Sequence, residues 1–186
     1  QNTAGSGKFS ASWDGASAST RLRDWLDPAN TTVVMDGYDP ANTPQPTLPV
    51  RLKVFLEGPY NTQTLNMNGT LRANGLVPPV EPYTGLGYMH AGGGGGETTT
   101  PAVLALTGSA SPVDWVVVEL RNKNDASQVV ATRSALLLRN GSVVGVNGSS
   151  DVTFQIAVDD YYIAVRHRNH LGIMTQDPQS LNVTPE

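Results

Sequence analysis

The sequence predicts an all-β protein, and three observations support that class. Short runs that alternate apolar and polar residues recur along the chain, which is the pattern of strands with one buried face. Turn-forming Asn, Asp, Gly and Ser residues separate these runs. The 186 residues include 19 glycines and 13 prolines and only 15% charged residues, a composition typical of a chain with many turns.

Composition also excludes several classes of function. The net charge is −4 and the most basic run is Arg166–Arg168, so nucleic acid is not an expected partner. No run of about 18 apolar residues occurs, so membrane insertion is not expected. Cysteine is absent, which fits a cytoplasmic or a bacterial secreted chain, and the Thr/Asn/Gly-rich composition favours a secreted, extracellular one. The first residue, Gln1, fits removal of a signal peptide and equally an arbitrary cut.

Residues 1–49 are predicted to form a strand-rich extension that acts as an edge-docking or assembly arm. Lys8–Trp13 alternates as a strand does, with Phe9 and Trp13 on one side. These two aromatic residues are therefore candidates for an interface with another chain. A second strand is predicted at Thr32–Met35.

Two similar Asp-Pro-Ala-Asn-Thr turns flank that second strand, starting at Asp27 and Asp39. With Asp36 between them, they bring three carboxylates close in sequence. Hard cations such as Ca²⁺ prefer clustered carboxylate and carbonyl oxygens, so the three residues are candidate calcium ligands. Asp and Asn side chains that bond their own turn backbone explain the same residues without a metal. Both interpretations stay open, and no other cofactor is predicted.

A proline-rich stretch, Thr43–Pro49, predicts the boundary of a β-sandwich domain over residues 50–186. The domain begins with Val50–Glu57, in which apolar and polar residues alternate cleanly enough to predict one continuous strand.

A long Gly/Pro-rich loop is predicted over residues 58–100, which have little regular pattern. It contains Tyr60, Tyr83 and Tyr88, which either pin the loop or hold a ligand. The run Gly92–Gly96 lacks the Lys-Ser/Thr of a phosphate loop. We therefore expect the glycines to mark a place where the backbone passes too close to its neighbour for side chains.

The stretch from residue 113 to residue 175 organises the domain as successive strands. Its first strand has two apolar faces. Three residues form the predicted core face: Val116, Val118 and Leu120. Trp115 and Val117 lie on the other face, which is unusual for a solvated sheet and indicates a covering layer. N-terminal strands or a neighbouring subunit are the expected cover, so both residues are interface candidates.

Two later features of this stretch are a hairpin motif and a pattern that resembles a known fold family. Arg139–Ser142 predicts a hairpin with a type I′ turn. The pattern that ends in Asp159–Val165 resembles the immunoglobulin-like and prealbumin-like β-sandwich modules of bacterial surface proteins. In those modules a tyrosine at a strand corner bonds back to the upstream backbone. Asp159 and Asp160 stand where the modules have Pro-Gly.

A second resemblance is carried by five longer segments. In order, they read LKVFLEGPY, EPYTGLGY, VDWVVVELR, ATRSALL and VRHRNHLG. Together they resemble a module near the C-terminal end of large secreted proteins of Bacteroidota, over Val50 to Thr184. The resemblance implies an extracellular, often type IX-secreted surface protein with no assigned chemistry. Those proteins continue to a sorting domain, whereas this sequence stops at Glu186.

The three histidines, His90, His167 and His170, are the remaining metal candidates. Three imidazoles can make an open zinc site, but His167 and His170 would face opposite sides of a continuing strand. Hydrogen bonding to the loop backbone is therefore the favoured role. Four charged residues are expected to pair across strands and set their register: Glu119, Arg121, Arg166 and Arg168.

No Ser-His-Asp order or carboxylate pair suggests catalysis, so no enzyme activity is predicted. The leading hypothesis is an extracellular structural or adhesive module that self-associates, or binds other surface proteins, by strand addition from its N-terminal segment into filaments. Deletion of Gln1–Asp14 is then expected to abolish assembly. The alternative is a carbohydrate-binding module in which the 58–100 loop and its tyrosines hold a glycan.

Overall fold

The computed structural model shows an all-β protein in which every described strand pair is antiparallel. The chain divides into two compact units, Gln1–Pro44 and Gln45–Glu186. This division falls inside the proline-rich stretch Thr43–Pro49. The structure describes four ranges: residues 8–13, 16–21, 35–36 and 45–183.

The first unit contains a three-stranded sheet of β1 (Lys8–Trp13), β2 (Ala16–Arg21) and β3 (Met35–Asp36), in that order. Six consecutive residue pairs join β1 to β2. The strand predicted at Lys8–Trp13 is therefore confirmed. The strand predicted at Thr32–Met35 is described only at its last residue, which begins β3.

The second unit is built on a seven-stranded main sheet with the order β13-β12-β8-β9-β10-β5, in which β14 also pairs with β12. Two smaller sheets pair β4 with β11 and β6 with β7. The strands are β4 (Thr47–Val50), β5 (Leu52–Lys53), β6 (Tyr60–Asn61), β7 (Asn66–Met67), β8 (Pro112–Asn122), β9 (Asp125–Leu138), β10 (Ser142–Val144), β11 (Val152–Gln155), β12 (Asp159–His167), β13 (His170–Met174) and β14 (Gln179–Leu181). The helical turns are α1 (Thr70–Ala73), α2 (Pro101–Leu104) and a 3₁₀ turn (Gly108–Ala110).

The central strand β8 is buried on both faces of the main sheet. One face packs into a core with residues of β4, β9 and β11, among them Leu48 and Phe154. That face carries the three residues predicted for it: Val116, Val118 and Leu120. Trp115 and Val117 lie in a second core on the other face. The prediction of two apolar faces is therefore confirmed.

The cover of the second face comes from the chain itself. Side chains between residues 71 and 104 pack there: Leu71, Val77, Tyr83, Tyr88, Val103 and Leu104. Trp115 and Val117 are 0% exposed. Their prediction as interface residues is wrong, because the long loop supplies enough apolar surface to bury them without a second chain.

The continuous strand predicted at Val50–Glu57 is divided in the structure. Thr47–Val50 pairs with β11, whereas Leu52–Lys53 pairs with β10 in the main sheet. The burial pattern alternates as predicted, with Val54 and Leu56 buried and Arg51 exposed. The segment thus keeps one buried side while it changes hydrogen-bonding partner at Arg51.

The hairpin predicted at Arg139–Ser142 joins β9 to β10, but its turn type is different. A type I′ turn needs positive φ at two residues, and only Gly141, at φ +86°, has it here. The Gly141 N–H donates to Leu138 O at 2.9 Å. A Cβ at this glycine would lie 2.7 Å from the Phe55 ring, so close packing also requires glycine.

Candidate functional site

His90 anchors the long loop to β9. Its Nδ1 lies 3.1 Å from Thr132 Oγ1. That hydroxyl accepts from the Ala91 N–H (3.0 Å) and lies 3.1 Å from Ala91 O, to which it donates. His90 Nδ1 is then the donor to Thr132, and Nε2 has no hydrogen-bond partner. His90 was predicted to pin the loop by bonding its backbone. In the structure it bonds the Thr132 side chain of β9 instead.

The glycine run beside His90 lies directly against β9. A Cβ at Gly92 would be 2.8 Å from Val130 O, and one at Gly94 would be 2.3 Å from Thr132 O. Distances below 3 Å leave no room for any side chain. The expectation that these glycines permit a close backbone approach is confirmed.

Glu81 ties the same loop together from a buried position. Its carboxylate accepts hydrogen bonds from the Tyr83 N–H at 2.7 Å, the Gly96 N–H at 3.0 Å and the Thr84 hydroxyl. Burial alone raises the pKa of Glu81, but these bonds outweigh it and hold the pKa below its ordinary value. Sequence reasoning missed this residue, because a single Glu in an aperiodic loop gives no signal of burial.

His167 and His170 meet at the turn between β12 and β13. Their Nδ1 atoms are 2.9 Å apart. His167 Nδ1 accepts from the Asn169 N–H at 3.2 Å, so the His167 proton resides on Nε2, which donates to Asp114 Oδ2 at 3.1 Å. Arg168 donates to the same carboxylate oxygen at 2.8 Å. The expectation of opposite faces is wrong, because the chain reverses after His167 and pairs it with His170.

This arrangement does not form a metal centre. Within the described ranges, no three His, Cys, Asp or Glu residues are grouped so that they can hold an ion. His90 does not form a group of possible metal ligands with His167 and His170. The calcium candidates Asp27 and Asp39 lie outside the described residues and Asp36 ends β3, so calcium stays a prediction.

Glu119 is a second buried carboxylate, on β8. Arg121 donates to its Oε2 through Nε (2.8 Å) and Nη2 (2.6 Å), while Tyr88 and Arg166 donate to Oε1. Burial raises the pKa of Glu119, but these hydrogen bonds outweigh it and hold the pKa below its ordinary value. The predicted cross-strand pairing is present between Glu119 and Arg166 of β12. Arg121 also bonds Glu119, but both residues lie on β8, so this pair is within one strand.

Asp114 could have been found from the sequence, since it interrupts a long apolar run on β8. A carboxylate inside such a run is either bonded or too costly to bury. Asp114 is 0% exposed and also accepts from the Trp115 N–H at 2.8 Å. The fourth predicted partner, Arg168, bonds Asp114 instead of Glu119.

The tyrosines of the long loop make internal contacts. Tyr83 is buried, and its hydroxyl donates to Trp115 O at 2.7 Å. Tyr88 is half-buried and donates to Glu119. The ring of Tyr60 packs edge-on against Phe55, with centroids 4.9 Å apart. These contacts fasten the loop over the main sheet.

The most exposed apolar segment of the second unit is β13, at the end of the main sheet. Leu171 is 95% exposed, Ile173 55% and Met174 46%. Thr175 N–H donates to Ile163 O of β12 at 3.0 Å, so Thr175 faces β12. By strand alternation, the N–H and C=O groups of Gly172 and Met174 point away from the sheet. Among the strands described in this unit, none pairs with that outer side.

The two halves of this sheet edge differ in their protection. β14 pairs with the N-terminal part of β12 and is preceded by Asp177 and Pro178. A charge and a proline discourage pairing with another chain. β13 has neither, although one extra residue opposite β12 forms a bulge near Leu171. Gly172–Thr175 is thus a short, uncharged edge.

Comparisons of the chain with protein-family models, with curated proteins and with solved structures find no match. None of the helices in the described ranges is long and apolar enough to cross a membrane. The site is therefore interpreted from its own geometry. Its two parts are the buried polar contacts that hold the β12–β13 turn and the open edge of β13.

Proposed function

We propose that this protein is an extracellular structural or adhesive module that joins other protein chains through the open edge of β13. The observation that supports it is the combination of unpaired backbone groups at Gly172 and Met174 with exposed Leu171 and Ile173. Unpaired N–H and C=O groups in a row are a template for an added strand. Neighbouring apolar side chains add the contact that favours a protein over water.

The proposed fold family is the immunoglobulin-like or prealbumin-like β-sandwich. Two features support it. The β4–β11 pair packs on one face of the main sheet through a shared apolar core. The Tyr161 hydroxyl, near the start of β12, donates to Ala157 O at 2.8 Å, as the tyrosine of a sandwich corner does.

The proposed setting outside the cell rests on the sequence. A cysteine-free chain with few charges and many Thr, Asn and Gly residues fits bacterial secretion. The resemblance to a Bacteroidota surface module points to the same setting. Partners of the edge are other copies of the chain or other surface proteins.

Two of the three loop tyrosines give little support to the carbohydrate-binding alternative, whereas Tyr60 packs against Phe55, an aromatic residue that is 45% exposed. A stacking platform for a sugar needs an aromatic ring presented to solvent. Tyr83 is buried, and the hydroxyls of Tyr83 and Tyr88 are bonded to Trp115 O and Glu119. A glycan array with signals above background remains the direct check of that alternative.

The test of the proposed function is the replacement Leu171→Lys. Leu171 is 95% exposed, so the change is expected to leave the fold intact. It adds a positive charge that discourages another strand from pairing with the edge. We expect the parent chain to associate with rising concentration in sedimentation velocity, and Leu171→Lys to associate roughly tenfold more weakly.

The matched control is Met89→Lys, which adds the same charge at a site 87% exposed and distant in sequence from the edge. It is expected to associate as the parent does. A parent chain that stays monomeric at every concentration, or equal weakening by both substitutions, contradicts the proposal.

A further inference from the structure

The outer side of β13 is self-complementary. From His170 to Gln176 the sequence contains no Asp, Glu, Lys or Arg, so two copies brought edge to edge meet no like charges. The outward backbone groups belong to Gly172 and Met174, on either side of Ile173. A pair of outward residues placed symmetrically about a third residue fits an antiparallel two-fold contact.

We propose that the partner of this edge is β13 of a second copy, paired antiparallel about a two-fold axis through Ile173. This inference rests on the proposed function and names its partner. In this register Gly172 lies opposite Met174 of the second copy, and the two strands exchange four backbone hydrogen bonds. Ile173 faces Ile173 of the second copy in a close, non-hydrogen-bonded pair.

Side-chain sizes fit that register. Met174 lies on the same face as Ala164, with which it pairs, and Gly172 lies two residues away on that face. Because Gly172 has no side chain, Met174 of the second copy can lie across it.

Charges near the ends of β13 do not oppose this contact. Arg168, which lies before β13, is paired with the buried Asp114 carboxylate. Asp177 lies after β13. An antiparallel pair centred on Ile173 places the two copies of Asp177 at opposite ends of the contact, where a parallel arrangement would bring them together.

The bulge near Leu171 limits the length of the ladder. The register of β13 against β12 shifts between the pairs at Val165 and His167, so the regular register begins at Ile173 and Gly172 lies at its border with the bulge. A short contact of this kind is weak and reversible. Association is therefore expected to depend on concentration rather than to be permanent.

The test uses disulfide cross-linking of Ile173→Cys, since the chain has no cysteine of its own. Cα atoms in a non-hydrogen-bonded antiparallel pair are about 4.5 Å apart, within the range of a disulfide of about 4.4–6.8 Å. Mild oxidation joins the two thiols with loss of two electrons and two protons to the added oxidant. We expect a covalent dimer on a non-reducing gel.

The matched control is Leu171→Cys. Leu171 is more exposed than Ile173, but it lies away from the proposed two-fold axis. In the proposed register its two copies are four residues apart along the strands, roughly 13 Å. We expect its yield of dimer to be roughly tenfold lower, because thiols beyond about 7 Å do not bridge. Equal yields from the two variants overturn the register.

Two further comparisons distinguish the possible partners of the β13 edge. Deletion of Gln1–Asp14 from the Ile173→Cys chain is expected to leave cross-linking unchanged, and a loss would assign the edge to the N-terminal segment. A parent chain that associates while Ile173→Cys gives no dimer overturns this inference alone. A parent chain that is monomeric at all concentrations overturns the proposed function with it.

Discussion

Three buried carboxylates, Glu81, Asp114 and Glu119, are each surrounded by donors from different parts of the second unit. A buried charge is tolerated only while its hydrogen bonds are complete, and loss of one donor costs more than loss of an exposed pair. The exposed pair Arg51–Asp151, at 2.9 Å, contributes little by comparison. Asp114 and Glu119 therefore hold the β12–β13 turn and Tyr88 of the loop onto β8. Glu81 holds the loop to itself, through donors such as Tyr83 and Gly96.

The substitution Tyr88→Phe tests this view of Glu119. It removes one donor from a carboxylate that is 1% exposed and leaves the ring in place. We expect the free energy of unfolding at neutral pH, measured with urea, to fall by about 1–3 kcal/mol. Tyr162→Phe is the control on the same sheet, because its hydroxyl makes no hydrogen bond within the described ranges, and it is expected to change stability by less than about 0.5 kcal/mol.

The difference in unfolding free energy between the parent and Tyr88→Phe is expected to depend on pH. The pKa of Glu119 is lowered in the folded state, so its stabilisation is present above the ordinary value of 4.5 and is lost as pH falls through the lowered value. Tyr88 contributes to that lowering. The stability difference between parent and Tyr88→Phe should therefore narrow in acid. A difference that widens in acid would contradict this assignment.

At the scale of elements, the glycine run acts as a strap across β9. Gly92 and Gly94 approach the strand so closely that backbone replaces side chain as the packing surface. Thr132, at the centre of this contact, is 0% exposed. The strap holds the far end of the long loop, and with it Tyr83 and Tyr88, over the second core.

The substitution Gly94→Ala should loosen this strap. Its Cβ would lie 2.3 Å from Thr132 O and 2.5 Å from Thr132 Oγ1, so loop or strand must move. We expect a loss of about 1–3 kcal/mol in urea unfolding, as for other overpacked sites. Gly85→Ala, in the same loop, has its nearest neighbour at 3.6 Å and is expected to be close to neutral. Equal effects of the two would show that the close approach is not limiting.

Particular elements show which features sequence alone can predict. The two faces of β8 were predictable, because alternation reports which side of a strand is buried. The division between β4 and β5 was not, because burial alternates without interruption while the hydrogen-bonding partner changes at Arg51. A covering layer over Trp115 was predicted, but its source was not. The apolar residues that form it are spread over a loop without periodic pattern and come together only in the folded structure. The His167–His170 pair depends on a chain reversal that no turn motif in the sequence predicted.

At the scale of the whole molecule, the proposed two-fold contact through β13 would join two copies and then close. Larger assemblies need a second contact elsewhere on the chain. The sequence predicts that the N-terminal segment supplies it by strand addition. β1 is an outer strand in the order β1-β2-β3, so among the described strands its outer side is open for such an addition.

Deletion of Gln1–Asp14 tests this division of roles. We expect the parent to form large particles in electron microscopy, and the deleted chain to form only dimers in sedimentation velocity. The unit Gln45–Glu186 should keep its cooperative unfolding transition, because residues between Leu48 and Leu181 build both of its cores as far as the structure describes them. An unchanged particle size after the deletion would remove the N-terminal segment from assembly.

The burial of β8 on both sides has a geometric consequence for any such assembly. A sheet covered above and below cannot stack on another sheet, so at this position it grows only sideways, within its own plane. In the proposed contact, a strand of a second copy would therefore join the rim of the sheet at the hydrogen-bonding spacing of about 4.8 Å, and the layers on either side of β8 would keep their thickness.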